Sequence, residues 1–311
     1  MRSSMDSKNP QQSDTPRDVA TLDSPFKDNL ARRHVKARIF SGAIFLATCA
    51  AMIILSILLW RIAAQGLPWL NWQFLSSFPS RMAARAGILS ALVGSACVIG
   101  ITALIAVCLG VGAAIYLEEM SPKTKLNQFV ELNIANLAGV PSLVYGMLGL
   151  AVFVRFMDFG RSILAAACTL AIMILPVIII SSREALRSVP PSIRLAALAL
   201  GATRWQATWH HILPAALPGI LTGIILAVSR ALGEAAPLIM VGGVTYIAFL
   251  PNSLYDSFTT LPIQIFNWAG RPQEDFQAIA AAGIIVLLAL VLFTNGIAIM
   301  IRARLENKNR W

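Results

Sequence analysis

Residues 87–117 read GILSALVGSACVIGITALIAVCLGVGAAIYL, 31 residues without one charged side chain. As an α-helix this stretch would be about 46 Å long, more than the roughly 30 Å of a bilayer's hydrocarbon core. It is therefore expected to span a membrane and to tilt or project from it. Comparable apolar blocks cover 39–62, 134–156, 162–181, 217–242 and 278–301. A soluble core has no use for six such blocks. The composition agrees: 57% hydrophobic, 13% charged, mean hydropathy +0.70, too little charge to clothe a water-soluble domain of this size. The fold class read from the blocks is all-α integral membrane, with six transmembrane helices.

The net charge of +10 invites a nucleic-acid reading, but no soluble segment carries a basic run interleaved with aromatics. Lys and Arg instead mark the cytoplasmic side of a membrane protein. With the six spans in place, eighteen fall on one side, among them the cluster Arg32, Arg33, Lys36 and Arg38 directly before the first span, and six on the other. That asymmetry places both termini in the cytoplasm. Residues 1–30 are polar and rich in Ser, Asp, Gln and Pro, the composition of a disordered tail, and they lack the apolar core of a secretory signal. The chain thus divides into a tail (1–30), a first span with an outer loop (31–86), a bundle (87–302) and a C-terminal tail (303–311). Cys49, Cys97, Cys108 and Cys168 all lie in apolar blocks without metal-pair spacing and read as small buried hydrophobes. No metal site or catalytic residue is expected.

Small residues recur at helix spacing: Ala106, Gly110 and Ala114 in the second span, Gly219 and Gly223 in the fifth. Such rows let helices approach closely in lipid. The third block carries Asn133, Asn136, Ser142 and Tyr145, groups that must face protein or water.

Two features lie outside this packing logic. The first is the inner loop over 182–214. Pro190-Pro191-Ser192 is followed by Ile193-Arg194-Leu195-Ala196-Ala197-Leu198-Ala199-Leu200-Gly201, a short helix with Ser192 as N-cap and Gly201 as its stop. Thr203 and Gln206 make a capping box for a second helix, on which Trp205, Trp209 and Ile212 share a face and which Pro214 ends. Two capped helices make a rigid amphipathic knob, suited to the lipid interface or to a groove on a soluble partner. The second feature is Arg230 and Glu234, four apart and so on one face of the fifth span. Charges at mid-span cost roughly 2.5–3.5 kcal/mol each on insertion scales. They form either a self-neutralising structural pair or part of an anion path. In the path reading the Arg230 fork matches phosphate oxygens, and Glu234 holds it while weakening capture.

The loop resembles the coupling loop of ABC importer permeases, Glu-Ala-Ala, three residues, Gly, nine residues, Ile, one residue, Leu-Pro. Ala196-Ala197, Gly201 and Leu213-Pro214 match in register; Leu195 stands at the Glu and His211 at the Ile. This resemblance favours docking on a partner. More narrowly the chain is similar to the phosphate-specific ABC permeases of the PstA type, through Ala114–Glu119, Asn133–Ser142, Arg230–Pro237, Leu261–Ile265, Asn267–Ala269 and Arg271-Pro272. The resemblance implies the type I ABC importer permease fold with a cytoplasmic coupling-helix loop, in the bacterial inner membrane. It also implies a second homologous permease subunit, two copies of an ATP-binding subunit, and an extracytoplasmic phosphate-binding protein. The coupling loop would then be carried by Arg194, Ala196, Ala197, Gly201, Trp205, Trp209, Leu213 and Pro214, and the substrate path by Arg230 and Glu234. The arginine that many members carry shortly after the Leu-Pro of the fourth span has no counterpart here, since Leu175-Pro176 leads into Val177-Ile178-Ile179-Ile180 and Arg183 stands three residues beyond. No Gly-Lys-Ser/Thr phosphate loop is present, so ATP and Mg are expected on partner subunits and this chain needs no cofactor. The rivals are a same-fold permease for another oxyanion such as sulfate or molybdate, an ATP-independent secondary transporter or channel, and a structural anchor.

Overall fold

The computed structural model describes residues 26–122, 124–244 and 246–308, and every regular element among them is helical. The chain falls into two compact units, 1–58 and 59–311. The described part of the first is most of α1 (Phe26–Gly66), whose Phe45 and Leu46 are exposed, as suits a helix solvated by lipid. The tail expected over 1–30 lies outside the described residues as far as 25, and from Phe26 onward the chain is helical.

The second unit holds the end of α1 and then α2 (Trp72–Ser76), α3 (Leu89–Ile115, prolonged by a π turn Tyr116–Met120), α4 (Lys125–Ala138) and α5 (Ser142–Gly149, prolonged by a π segment to Phe156). It continues with α6 (Ile163–Arg187), α7 (Pro191–Ala199), α8 (Arg204–Ala207, with a π turn Thr208–Ile212), α9 (Leu213–Leu232), α10 (Ala236–Val241), α11 (Leu261–Ala269) and α12 (Glu274–Lys308). Among the described residues five stretches are long and apolar enough to cross a membrane: Arg33–Trp69, Leu89–Met120, Ile163–Arg187, Arg204–Leu232 and Glu274–Arg304. The pair α4–α5, bent by 104°, makes a sixth if it is one span. Six spans were expected, and this is where the sixth would lie.

α6 is the axis of the bundle. Ser162 caps it, accepting from the Ala165 amide at 3.2 Å, and two thirds of its most apolar stretch is buried. α3 and α9 both lie against it through the small residues. Ala106 and Ala114 are fully buried, and a Cβ on Gly223 would stand 2.0 Å from Ser181 Oγ. Absence of a side chain at Gly223 lets α9 seat on α6, since close approach in lipid depends on such positions.

Two spans differ from their expected form. The third was expected as one helix over 134–156. It begins at Lys125, capped by Thr124, and breaks between Ala138 and Ser142. Pro141 has no N–H to give and pushes Val140 out of helical geometry, so the helix cannot run through. The fifth was expected over 217–242. It starts at Arg204 and stops at Leu232, and α10 opens separately with Pro237 in its first turn, where proline is at home. The two interrupted spans meet: a Cβ on Gly146 of α5 would lie 2.7 Å from Pro237 Cα.

Candidate functional site

Two places gather the residues singled out in the sequence. In the knob, α7 begins with Pro190 as N-cap and Pro191 inside the first turn. Ser192, expected as the cap, sits one residue further in and caps nothing, because Pro191 already supplies a helical φ with no N–H to satisfy. Gly201 ends α7 with φ +84°. The amide of Gly201 donates to Leu198 and that of Ala202 to Ala197, a Schellman ending. The capping box is present, with the Thr203 amide donating to Gln206 Oε1 at 2.9 Å and the Gln206 amide to Thr203 Oγ1 at 3.3 Å.

Pro214 does not end the second helix. The chain continues helically from Arg204 to Leu232, and a π turn at Thr208–Ile212 precedes the proline. That wider turn takes up the missing N–H and the ring's clash with the carbonyl behind it. The knob is therefore covalently one rod with the fifth span.

The knob has two faces. Ala207, Thr208 and Ile212 are buried, and Ile212 joins Ala114, Ile179, Leu186 and Ile220 in a core at the root of the spans. Trp205 and Trp209 stack outside, ring centres 5.6 Å apart, each about half exposed, and Leu195 and Leu200 of the knob are also outward. Ile212 thus turns inward and does not share the tryptophan face, because the π turn shifts the register between residues 209 and 212. Ala196 is exposed and Ala197 buried; Leu213 and Pro214 are half-buried at the root.

A set of ion pairs connects the knob to the spans. Glu118 and Glu119, in the π turn ending α3, serve different partners. Glu118 accepts from Arg183 Nε at 3.3 Å and from Arg187 Nε at 2.8 Å. Arg183 also approaches Glu131 of α4, 2.6 Å from Nη2 to Oε1. Glu119 accepts a forked pair from Arg194 of α7, through Nε at 3.1 Å and through Nη2. A cavity of about 430 Å³ lies beside this pair, lined by Glu118, Glu119, Arg194, Leu198, Arg204 and Ile212 among others. Sequence reasoning missed this network. Its partners lie 52 to 75 residues apart, and the sequence displayed its members without their pairing.

Arg230 and Glu234 occupy the second place. Arg230 lies in the last turn of α9, and Glu234 in the break before α10. They are not mid-helix on one continuous face, because Gly233 and the approaching Pro237 end the helix between them. The pair still forms, Nε to Oε1 at 3.5 Å, with the arginine side chain 52% exposed. A cation there also favours the negative end of the α9 dipole. The neighbouring Ser229 hydrogen-bonds Asn295 of α12, which fixes the last turn of α9 against α12. Tyr145 of α5 donates its hydroxyl to the Leu137 carbonyl at 2.7 Å.

A permease of Bacillus subtilis, "Probable ABC transporter permease protein YqgI", is 36% identical over 79% of this chain and 89% of its own length. "Phosphate transport system permease protein PstA" of Yersinia pestis is 31% identical over 93% of this chain and 97% of its own. Among solved structures, a bacterial alginate ABC transporter in complex with an alginate pentasaccharide-bound periplasmic protein contains a chain with the same fold. Its TM-score is 0.61 at 16% identity, over 87% of this chain and 97% of that one. A chain of the MetNI methionine ABC transporter matches with TM-score 0.56 at 17% identity, over 68% and 93%. The fold is thus that of ABC importer permeases, and the family model of the binding-protein-dependent transport system inner membrane component matches residues 106–307. The chain belongs to that family, as a multi-pass membrane permease subunit.

Proposed function

We propose that this chain forms half of the translocation path of an ATP-driven phosphate importer. Its partners are a second homologous permease, two copies of an ATP-binding subunit that carry ATP and Mg, and an extracytoplasmic phosphate-binding protein. Both termini and the knob face the cytoplasm of the inner membrane. The knob docks on the ATP-binding subunit through Trp205, Trp209 and the outward Leu195 and Leu200. Its motion passes along the Arg204–Leu232 rod to Arg230 at the far end. There a half-exposed guanidinium presents forked donors suited to a phosphate, and Glu234 keeps the site weak enough to release its cargo.

The observation that carries the reading is Arg230, open at an interrupted helix, in a chain whose relatives over nearly full length are named phosphate transport permeases. The test is uptake of labelled phosphate by vesicles holding the complete assembly. Uptake that needs nucleotide and resists excess sulfate or molybdate supports the proposal. Uptake that another oxyanion abolishes reassigns the cargo, and uptake indifferent to nucleotide removes the ATP-driven reading.

A further inference from the structure

The knob reaches the spans by two kinds of route. One is covalent, back into α6 through residues 188–190 and forward through the π turn into α9. The other leads from α7 to the end of α3, and there packing is thin. Ala197 is the one buried residue of α7, and the cavity of about 430 Å³ is lined by Leu198 and Arg194 on one side and by the α3 end on the other. What crosses that gap is the forked pair of Arg194 with Glu119, whose carboxylate side chain is only 4% exposed. A fork fixes direction as well as distance. A pair with its carboxylate buried and its arginine part exposed is weak evidence for stability but a good device for fixing register.

We infer that Glu119 is a positioning residue for energy coupling: through Arg194 it makes α3 follow the knob, while α9 follows by its backbone. Adjacent Glu118 extends the link to α6 through Arg183 and Arg187, so three spans move as a set. The inference rests on the proposal that the knob receives the push of an ATP-binding subunit.

The experiment uses the complete assembly in vesicles, with phosphate uptake and ATP hydrolysis measured together. Wild type must first show nucleotide-dependent uptake; if it does not, the importer reading fails and not this one alone. In Glu119→Gln, hydrolysis continues while phosphate moved per ATP falls about tenfold, the size of a usual coupling free energy. The exchanged pair Glu119→Arg with Arg194→Glu restores the ratio, and Glu119→Asp recovers part of it. A Glu119→Gln assembly with an unchanged ratio overturns the inference. Should that variant fail to assemble, the exchanged pair decides: a restored ratio supports the link, and an assembled but uncoupled exchange overturns it.

Discussion

Arg183, near the end of α6, is buried between two carboxylates, Glu118 of the α3 end and Glu131 of α4, the latter 2.6 Å from Nη2. The approach to Glu131 is an ion pair rather than an aligned hydrogen bond, close in distance but poorly directed. Three helices meet on one guanidinium, three residues beyond the place where the resembling family carries its arginine.

Removing that guanidinium should leave Glu131 without its cation and Glu118 with Arg187 alone. Arg183→Met is expected to cost about 3–5 kcal/mol, the range for breaking a buried pair from one side, read as a large fall in melting temperature of the purified subunit in detergent. Glu131→Gln should cost much less, because Glu131 is a third exposed and Arg183 keeps Glu118. Equal losses in the two variants would contradict this account.

A side chain at Gly223 must collide with Ser181 of α6. Gly223→Leu should overpack the contact by about 1–3 kcal/mol. Adding Ser181→Gly relieves part of that cost, since the clashing atoms are the serine's own Oγ and Cβ. No recovery in the double variant would place the clash elsewhere.

At Gly201 the constraint is conformational alone, because a Cβ at this position would meet nothing within 4 Å while φ is +84°. Gly201→Asn should preserve coupling, since asparagine accepts the left-handed cap. Gly201→Val should strain it by about 1–2 kcal/mol and reduce phosphate moved per ATP. Valine and asparagine variants that behave alike would remove the cap from the mechanism.

Arg230→Lys keeps the charge and loses the fork. Uptake should fall in this variant and vanish in Arg230→Gln, with the assembly intact in both by size-exclusion chromatography. Normal uptake in Arg230→Gln would leave the Arg230–Glu234 pair a structural one.

The stacked Trp205 and Trp209 contribute little to this chain's own core, being half exposed. Replacing both with Ala should leave the subunit's melting temperature nearly unchanged and abolish co-purification of the ATP-binding subunit. Retained co-purification would return the pair to the lipid interface.

Much was legible without coordinates, wherever the governing rule is local or compositional. Apolar length against bilayer thickness fixes a helical membrane bundle. The Gly201 stop and the Thr203–Gln206 box follow from backbone chemistry within a few residues. Proline was read less well. Pro141 breaks the third span where a single helix was expected, and Pro214, expected as a stop, is passed by way of a π turn, because whether a helix survives a missing N–H depends on the turn before it. The tertiary structure alone decided the pairing of Glu118 and Glu119 with arginines of α6 and α7. Ion pairs across 65 to 75 residues leave no periodicity in a sequence; they exist only once apolar helices, packed through glycine and alanine, bring their ends together.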